Sequence, residues 1–354
     1  MTLRRLVLTR IALRILAALA VLYALLQVLD LLDTTDQVLD RGLGVSGIFY
    51  YALLRTPRLI TQALPIAVLA GGLFGFSQLA RENAVTAMRT VGVSVYGILA
   101  LAVPAALVAV VLQIALEQWV TPAADAAMQE WWLATAPPED ARDADDARSF
   151  RVGNDIVTAS AGALGGTILL HPRIYRRDQD GHLTQRLTAD SARYKGPGWT
   201  LTNVQTVSVG ETRAEIAQAD TLDWATTLEP ADVVSTYGDS VNVSPAEARR
   251  ALNEGAALHA PAFYEMRLQR AWAGPFASLV MLLLAAPVAL ANFRGGSGTT
   301  AVAIALGTGM LYLVIDGLLT AVGESGAAPV PLAAWAGPVI FSALGLTILL
   351  RKEG

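Results

Sequence analysis

The sequence predicts an α-helical polytopic membrane protein, six transmembrane helices arranged three plus three, with an all-β, jellyroll-like domain inserted between the third and fourth. Three observations predict it. Stretches free of Asp, Glu, Lys and Arg recur at Leu59–Ala80, Val93–Leu116, Ala271–Phe293, Gly295–Ile315 and Ser325–Leu350. Each is long enough, at ~1.5 Å per residue, to cross a ~30 Å hydrocarbon core as a helix. Of the 354 residues 54% are hydrophobic and only 16% charged, too apolar for an ordinary soluble chain of this size. Between Trp119 and Met266 the composition turns instead to Thr, Val, Gly, Asp and Arg in short segments.

The first helix is the shortest uncharged run, Ile15–Leu29, but its cationic flank can snorkel toward headgroups, which extends the span to Ile11–Leu32. Arg4, Arg5, Arg10 and Arg14 precede it without a following A-x-A-like cleavage site, the pattern of a retained helix rather than a signal peptide. Basic residues near helix ends stay on the cytoplasmic side. Arg4, Arg5, Arg10, Arg14, Arg81, Arg89, Arg294, Arg351 and Lys352 then place both termini inside and the β domain outside. Arg55, Arg58, Arg267 and Arg270 run against that bias. The division expected is residues 1–118 for helices one to three, 119–266 for the β domain and its connector, and 267–354 for helices four to six.

Within the β domain, strands are expected at Phe150–Val157, Thr167–Tyr175, Leu183–Ala189, Trp199–Val209 and Arg213–Ala217. Trp199, Leu201, Val207 and Val209 share one parity against Thr200, Thr202, Thr206 and Ser208, as on a strand with one buried face, and Val204 breaks the pattern. Asp180-Gly181 and Gly196-Pro197-Gly198 are turn signals. Residues 137–148 are acidic and aperiodic, a loop. Ser244-Pro245-Ala246-Glu247 starts a short helix with a Ser cap, a first-turn proline and a reciprocal Glu, and a second start lies near Pro261.

Little in the chain points to catalysis. No G-x-x-x-x-G-K-[ST] loop is present, and Lys195 and Lys352 are the only lysines, so ATP hydrolysis must come from elsewhere. Phe293-Arg294-Gly295-Gly296-Ser297-Gly298 reads as a cytoplasmic turn, since no strand precedes it. His171, His182 and His259 lack the close spacing of metal ligands, and no cysteine exists. No cofactor is expected on this chain. Charges at membrane depth carry more information, because each costs ~2.5–3.5 kcal/mol at a helix centre. Asp316 after an uncharged run either faces a cavity or reaches the headgroups; Asp30 and Asp33 share a face near the outer end of helix one. Gly71, Gly72 and Gly75 provide a small-residue surface for helix packing, and Pro57, Pro65, Pro104 and Pro287 are potential kinks. Arg81-Glu82-Asn83-Ala84-Val85-Thr86-Ala87-Met88-Arg89 reads as a short cytoplasmic amphipathic helix through which a separate motor can act.

That last segment, continued through Thr90-Val91-Gly92-Val93-Ser94, resembles the LptF/LptG (YjgP/YjgQ) permeases of the lipopolysaccharide exporter, as do the three-plus-three layout and Ser244–Glu247 leading into Met281–Pro287. Helix one ending in Leu29-Asp30-Leu31-Leu32-Asp33 is more similar to LptG. The resemblance covers essentially the whole chain. It implies a non-catalytic subunit of an ABC-type exporter, paired with an LptF-like permease and driven by an LptB-like ATPase dimer that binds ATP and Mg. Lipopolysaccharide would enter between helix one of one subunit and helix five of the other, then pass to periplasmic jellyrolls continued by LptC-like and LptA-like proteins. By position, Arg81, Glu82, Val85, Met88 and Arg89 would form the ATPase-coupling contact. Helix one (Ile11–Leu32) and helix five (Thr299–Leu319), with Asp30, Asp33, Arg41, Arg55, Arg58, Leu311 and Asp316, would form the substrate pathway and gate. LptG members can carry lysines just beyond helix one; here that stretch, Asp33–Arg41, offers only Arg41. The readings from other classes are a membrane-anchored receptor or scaffold whose β domain binds protein, and an intramembrane hydrolase.

Overall fold

The computed structural model describes residues 3–353 apart from 91, 136–146, 162–165, 179, 197, 210–213, 231, 234–242, 254–255 and 291–296. The glycine-rich segment at 293–296 and most of the acidic loop therefore lie outside the described residues. Two compact units emerge, residues 1–124 with 269–354, and residues 125–268.

Six helices long and apolar enough to cross a membrane occur among the described residues, all with substantial parts in the first unit. Helix one is α1 (Leu3–Asp40) and helix two is α2 (Gly44–Arg81). The short α3 (Ala84–Thr90) leads to helix three, which is α4 (Val95–Ala115), a π-turn at Leu116–Val120 and α5 (Thr121–Ala134). In the second unit α6 (Pro245–Leu252) precedes α7 (Pro261–Ala273). Helix four joins α7 to α8 (Ala277–Ala285) through a 3₁₀ turn at Gly274–Phe276, and a second 3₁₀ turn follows at Ala286–Leu290. Both tight turns carry a proline, Pro275 and Pro287, whose missing N–H breaks the α ladder. Pro57, Pro65 and Pro104 are instead absorbed within α2 and α4. Helix five is α9 (Ser297–Glu324) and helix six is α10 (Val330–Glu353).

Helix one continues past Leu32 to Asp40, because the first residue suited to end it is Gly42, left-handed at φ 73°. The stretch Asp33–Arg41, expected just beyond the helix, is thus helical almost throughout. At 38 residues each, helices one and two reach ~57 Å, well beyond the hydrocarbon core. Helix two is the hub. Gly71 and Gly75 let helix one approach: a Cβ at Gly71 would fall on the Ile15 backbone, and one at Gly75 would sit 3.1 Å from Ile11 Cγ1. Gly72 belongs to the other face, where a Cβ would lie 3.1 Å from Ala285 Cβ on helix four. The three glycines therefore serve two packing faces, not the single surface expected.

The second unit is an antiparallel sheet built from β1 (Arg148–Val152), β2 (Asp155–Ala161), β3 (Ile168–Arg177), β4 (Leu183–Thr188), β5 (Ser191–Tyr194), β6 (Trp199–Val209), β7 (Ala214–Trp224) and β8 (Ala256–Ala257). Both β4 and β5 pair with β3 and with β6, so they form two halves of one interrupted strand. The order across the sheet is β8, β1, β2, β3, β4/β5, β6, β7.

Three strand expectations need correction. Phe150–Val157 is two strands, since Gly153 at φ 58° turns the chain and Val152 pairs with Asp155. Residue Arg148, assigned to the loop, opens β1. In β6 the parity reverses at Asn203, left-handed at φ 53°: Trp199, Leu201 and Val204 are buried while Val209 is half exposed. Asn203 belongs to a seam across the sheet. Its Nδ2 donates to Asp190 Oδ2 (2.8 Å), and the Asp190 carbonyl accepts from His171 N–H (3.0 Å) at another left-handed position, φ 48°. That seam separates β4 from β5, which explains why the four-residue β5 left no periodic signal of its own. The core gathers Trp199, Trp224, Phe150, Leu169, Ile174 and Leu187, and Trp199 Nε1 donates to the Leu228 carbonyl at 2.8 Å.

The connector forms as its residues dictate. Ser244 Oγ accepts from Glu247 N–H (3.2 Å) while Ser244 N–H donates to Glu247 Oε2 (2.8 Å), the reciprocal cap. Tyr264 Oη accepts from the N–H groups of Leu258 (2.8 Å) and His259 (3.2 Å), tying the chain just before α7.

Candidate transport and coupling site

At one end of helix two, Glu82 caps α2 and Asn83, left-handed at φ 57°, redirects the chain into α3. The Ser94 hydroxyl accepts from Gly97 N–H (3.1 Å) where the next helix begins. Amphipathicity places Val85 and Met88 on one side of α3, and both are buried against the core of the membrane unit. Within this chain they seat the helix on its own subunit. Arg81, Glu82, Asn83, Thr86, Ala87 and Arg89 remain exposed and form the outward face. Glu82 is not idle there. Its Oε2 accepts from Arg10 of helix one and its Oε1 from Gln78 Nε2 (2.7 Å), while Gln78 Oε1 accepts from Arg14. Arg10, then Gln78, holds the Glu82 carboxyl below the usual carboxylate range.

Toward the other end of helices one and two, Arg55 Nε lies 3.0 Å from Asp30 Oδ1. Tyr23 and Thr56 share a hydrogen bond at 2.9 Å, and Thr34 donates to Tyr51 at 3.1 Å. The two ion pairs, Arg10–Glu82 and Asp30–Arg55, lie twenty residues apart along helix one, ~30 Å of helix, the thickness of a hydrocarbon core. Asp33 is exposed, and Arg41 and Arg58 are half-buried.

Asp316, expected at a cavity or at the headgroups, is paired within the membrane unit. It is buried, with Oδ2 2.7 Å from Arg270 Nη1. Gly337 of helix six leaves room for it: a Cβ there would stand 2.6 Å from Asp316 Oδ1. One turn away, the fully buried Tyr312 stacks edge-on against Phe341 of helix six at 5.2 Å. Arg55 and Arg270, two of the four arginines that oppose the charge bias, are thus each committed to an aspartate across a helix interface. Nearby helices three and four add polar links, Gln113 Nε2 to Glu117 Oε1 (3.2 Å) and Ser278 Oγ to Gln113 Oε1 (3.5 Å). None of Arg10, Arg14, Gln78, Gly337 or Gln113 was a candidate from sequence. Only the four-residue spacings Arg10/Arg14 and Gln78/Glu82 could have hinted at facing ladders.

Leu311 is exposed on helix five together with Ile304, Met310, Val314 and Leu318. Helix one presents Leu16, Val21, Leu25, Val28 and Leu32 in the same way. Helix one packs chiefly on helix two and helix five chiefly on helix six, so each shows an apolar flank that the membrane unit does not cover. In the β unit, Asp178, Asp180 and His182 bring ligand atoms within 4.8 Å of one another. Asp178 Oδ1 is already occupied there, accepting from the N–H groups of Asp180 (3.0 Å) and His182 (2.8 Å), which is turn chemistry.

A sequence search finds no match among curated proteins. The family model described as "Lipopolysaccharide export system permease LptF/LptG" matches residues 5–351, both triplets of spans and the β insert together. The chain therefore belongs to the LptF/LptG family of lipopolysaccharide export permeases, multi-pass proteins of the inner membrane.

Proposed function

We propose that this chain is the LptG-like half of an ABC-type exporter, extracting lipopolysaccharide from the outer leaflet and passing it to its own β domain and a jellyroll bridge toward the outer membrane. The observation that carries the reading is the pair of uncovered apolar flanks on helices one and five. Extracting a lipid exposes acyl chains at ~0.8 kcal/mol per CH₂, so its path needs replacement apolar walls, and helices one and five supply two. An LptF-like partner completes the cavity, an LptB-like ATPase dimer binding ATP and Mg works from the α3 side, and LptC-like and LptA-like proteins continue the bridge. Both termini are cytoplasmic and the β domain periplasmic, in keeping with the arginines at the α3 end. The Asp30-Leu31-Leu32-Asp33 segment of helix one supports LptG over LptF. Asp30, Arg55 and Asp316 hold the gate helices in place, whereas Asp33, Arg41, Arg58 and Leu311 lie along the pathway.

A photoreactive residue at Leu32 or Leu311 in the reconstituted complex is expected to capture lipopolysaccharide, with ATP turnover depleting the captured form. Equal capture at a buried control such as Val68, or none at either flank, would overturn this path. A second outcome concerns coupling. Glu82→Arg reverses the charge at this exposed position and is expected to lower ATP-driven lipid release about tenfold or more. The fold should survive, because an exposed ion pair contributes little to stability. Unchanged release, with the complex assembled, would remove Glu82 from the coupling contact.

A further inference from the structure

We infer that Arg10, backed by Arg14, is the positioning residue through which the ATPase-docking end of helix two moves helix one. The inference rests on the coupling reading of Glu82 and α3 above. Two geometric facts carry it. First, both oxygens of Glu82 are engaged within the chain, one by Arg10 and one by Gln78. A cation on a docking partner therefore reaches this carboxylate only by displacing or sharing the helix-one arginine. Second, Glu82 sits at the joint between α2 and α3, where Asn83 reverses the backbone. A change in the angle of α3 consequently shifts the acceptor that holds helix one.

The contact is a ladder rather than a single pair. Arg10 and Arg14 stand one turn apart on helix one, facing Glu82 and Gln78 one turn apart on helix two. Directly beyond it, Gly75 and Gly71 bring the two backbones together at Ile11 and Ile15. Helix one packs mainly on helix two, with a smaller contact to α4 of helix three, so its seat against helix two chiefly sets where its apolar flank faces. Docking at Glu82 is thereby linked to the helix whose flank meets the lipid, without passing through the core of the unit. The linkage is reciprocal: cargo that tilts helix one withdraws Arg10 and changes how Glu82 meets the motor.

The test uses the complete complex in vesicles and reads lipid extracted per ATP hydrolysed. Arg10→Gln is expected to retain ATPase docking and hydrolysis while extraction per ATP falls about fivefold or more, with Arg10→Lys restoring most of it. A role confined to stability would lower both quantities together and leave their ratio unchanged, which would overturn the inference. Because the chain contains no cysteine, Arg14→Cys with Gln78→Cys can also be bridged by a short bis-thiol reagent. Bridging is expected to stop extraction with docking intact, and normal extraction in the bridged form would equally overturn the proposal. Glu82→Gln separates the two readings. If it weakens docking while Arg10→Gln leaves extraction per ATP unchanged, the helix-one link fails and the coupling site stands. If Glu82→Gln alters neither docking nor extraction, the coupling site itself fails.

Discussion

Replacing Arg270 by alanine is expected to destabilise the membrane unit by about 3–5 kcal/mol, the range for removing one partner of a buried ion pair. The loss is readable as a fall in the thermal midpoint of the purified protein. The Asp316 side chain is only 8% exposed, and Arg270 Nη1 at 2.7 Å is its ion-pair partner. Without the arginine, a carboxylate is left among Tyr312, Gly337 and the apolar surface of helix six. Asp316→Ala is expected to cost less, because Arg270 also lies in the field of Glu117 on helix three and is more open to solvent. The double variant Arg270→Met/Asp316→Leu should recover most of the loss, as neither charge is then left alone. Equal, additive losses from the two single variants and no recovery in the double would show that the pair contributes nothing as a pair.

This ion pair also shows where the sequence stops being informative. An aspartate after twenty-one uncharged residues is conspicuous, but its partner lies forty-six positions earlier on a different helix, and no local pattern links them. The glycine that accommodates it, Gly337, looks like any small residue in a spanning helix. Arg55 and Asp30 pose the same problem across the turn between helices one and two. Read only as charges near helix ends, Arg55 and Arg270 contradicted the orientation rule. Paired, each meets its opposite charge within the chain, which removes much of the cost of its position.

What was legible is local or periodic. Six apolar runs, the Ser244–Glu247 reciprocal cap and the start at Pro261 follow from composition and capping chemistry, and the structure contains all of them. The β insert follows likewise, though its register does not. A left-handed residue such as Asn203 reverses strand parity without changing composition, so Val204 looked like an exception when it marks the point at which Val207 and Val209 leave the buried side. The α3 helix teaches a similar lesson. Its period identifies Val85 and Met88 as one face, but period alone does not say which surface covers that face; here it is the subunit's own core. The exposed residues, Glu82, Thr86 and Arg89 among them, form the opposite face.

Gly71→Val is expected to have the other large effect, roughly 3 kcal/mol or more of lost stability, the upper part of the range for overpacking a tight contact. The reason is geometric. A Cβ at residue 71 would occupy the space of the Ile15 backbone, and a helix axis cannot rotate out of the way as a flexible side chain can. Helix one must therefore lift from helix two, and that movement strains the Arg10 and Arg14 ladder on one side and Asp30–Arg55 on the other. Gly317→Ala is the matched control, because nothing lies within 4 Å of a Cβ there, and it should be neutral or stabilise helix five by up to about 1 kcal/mol. Gly72→Ala falls between them, with Ala285 Cβ at 3.1 Å able to yield by a few tenths of an ångström. A cysteine at Ile15 would report the same displacement directly: unreactive to thiol reagents in the otherwise cysteine-free chain and labelled rapidly once Gly71→Val is added. Equal labelling in both backgrounds would mean that the close helix crossing does not hold helix one in place, and the lever from α3 to the lipid-facing flank would then lack its fulcrum.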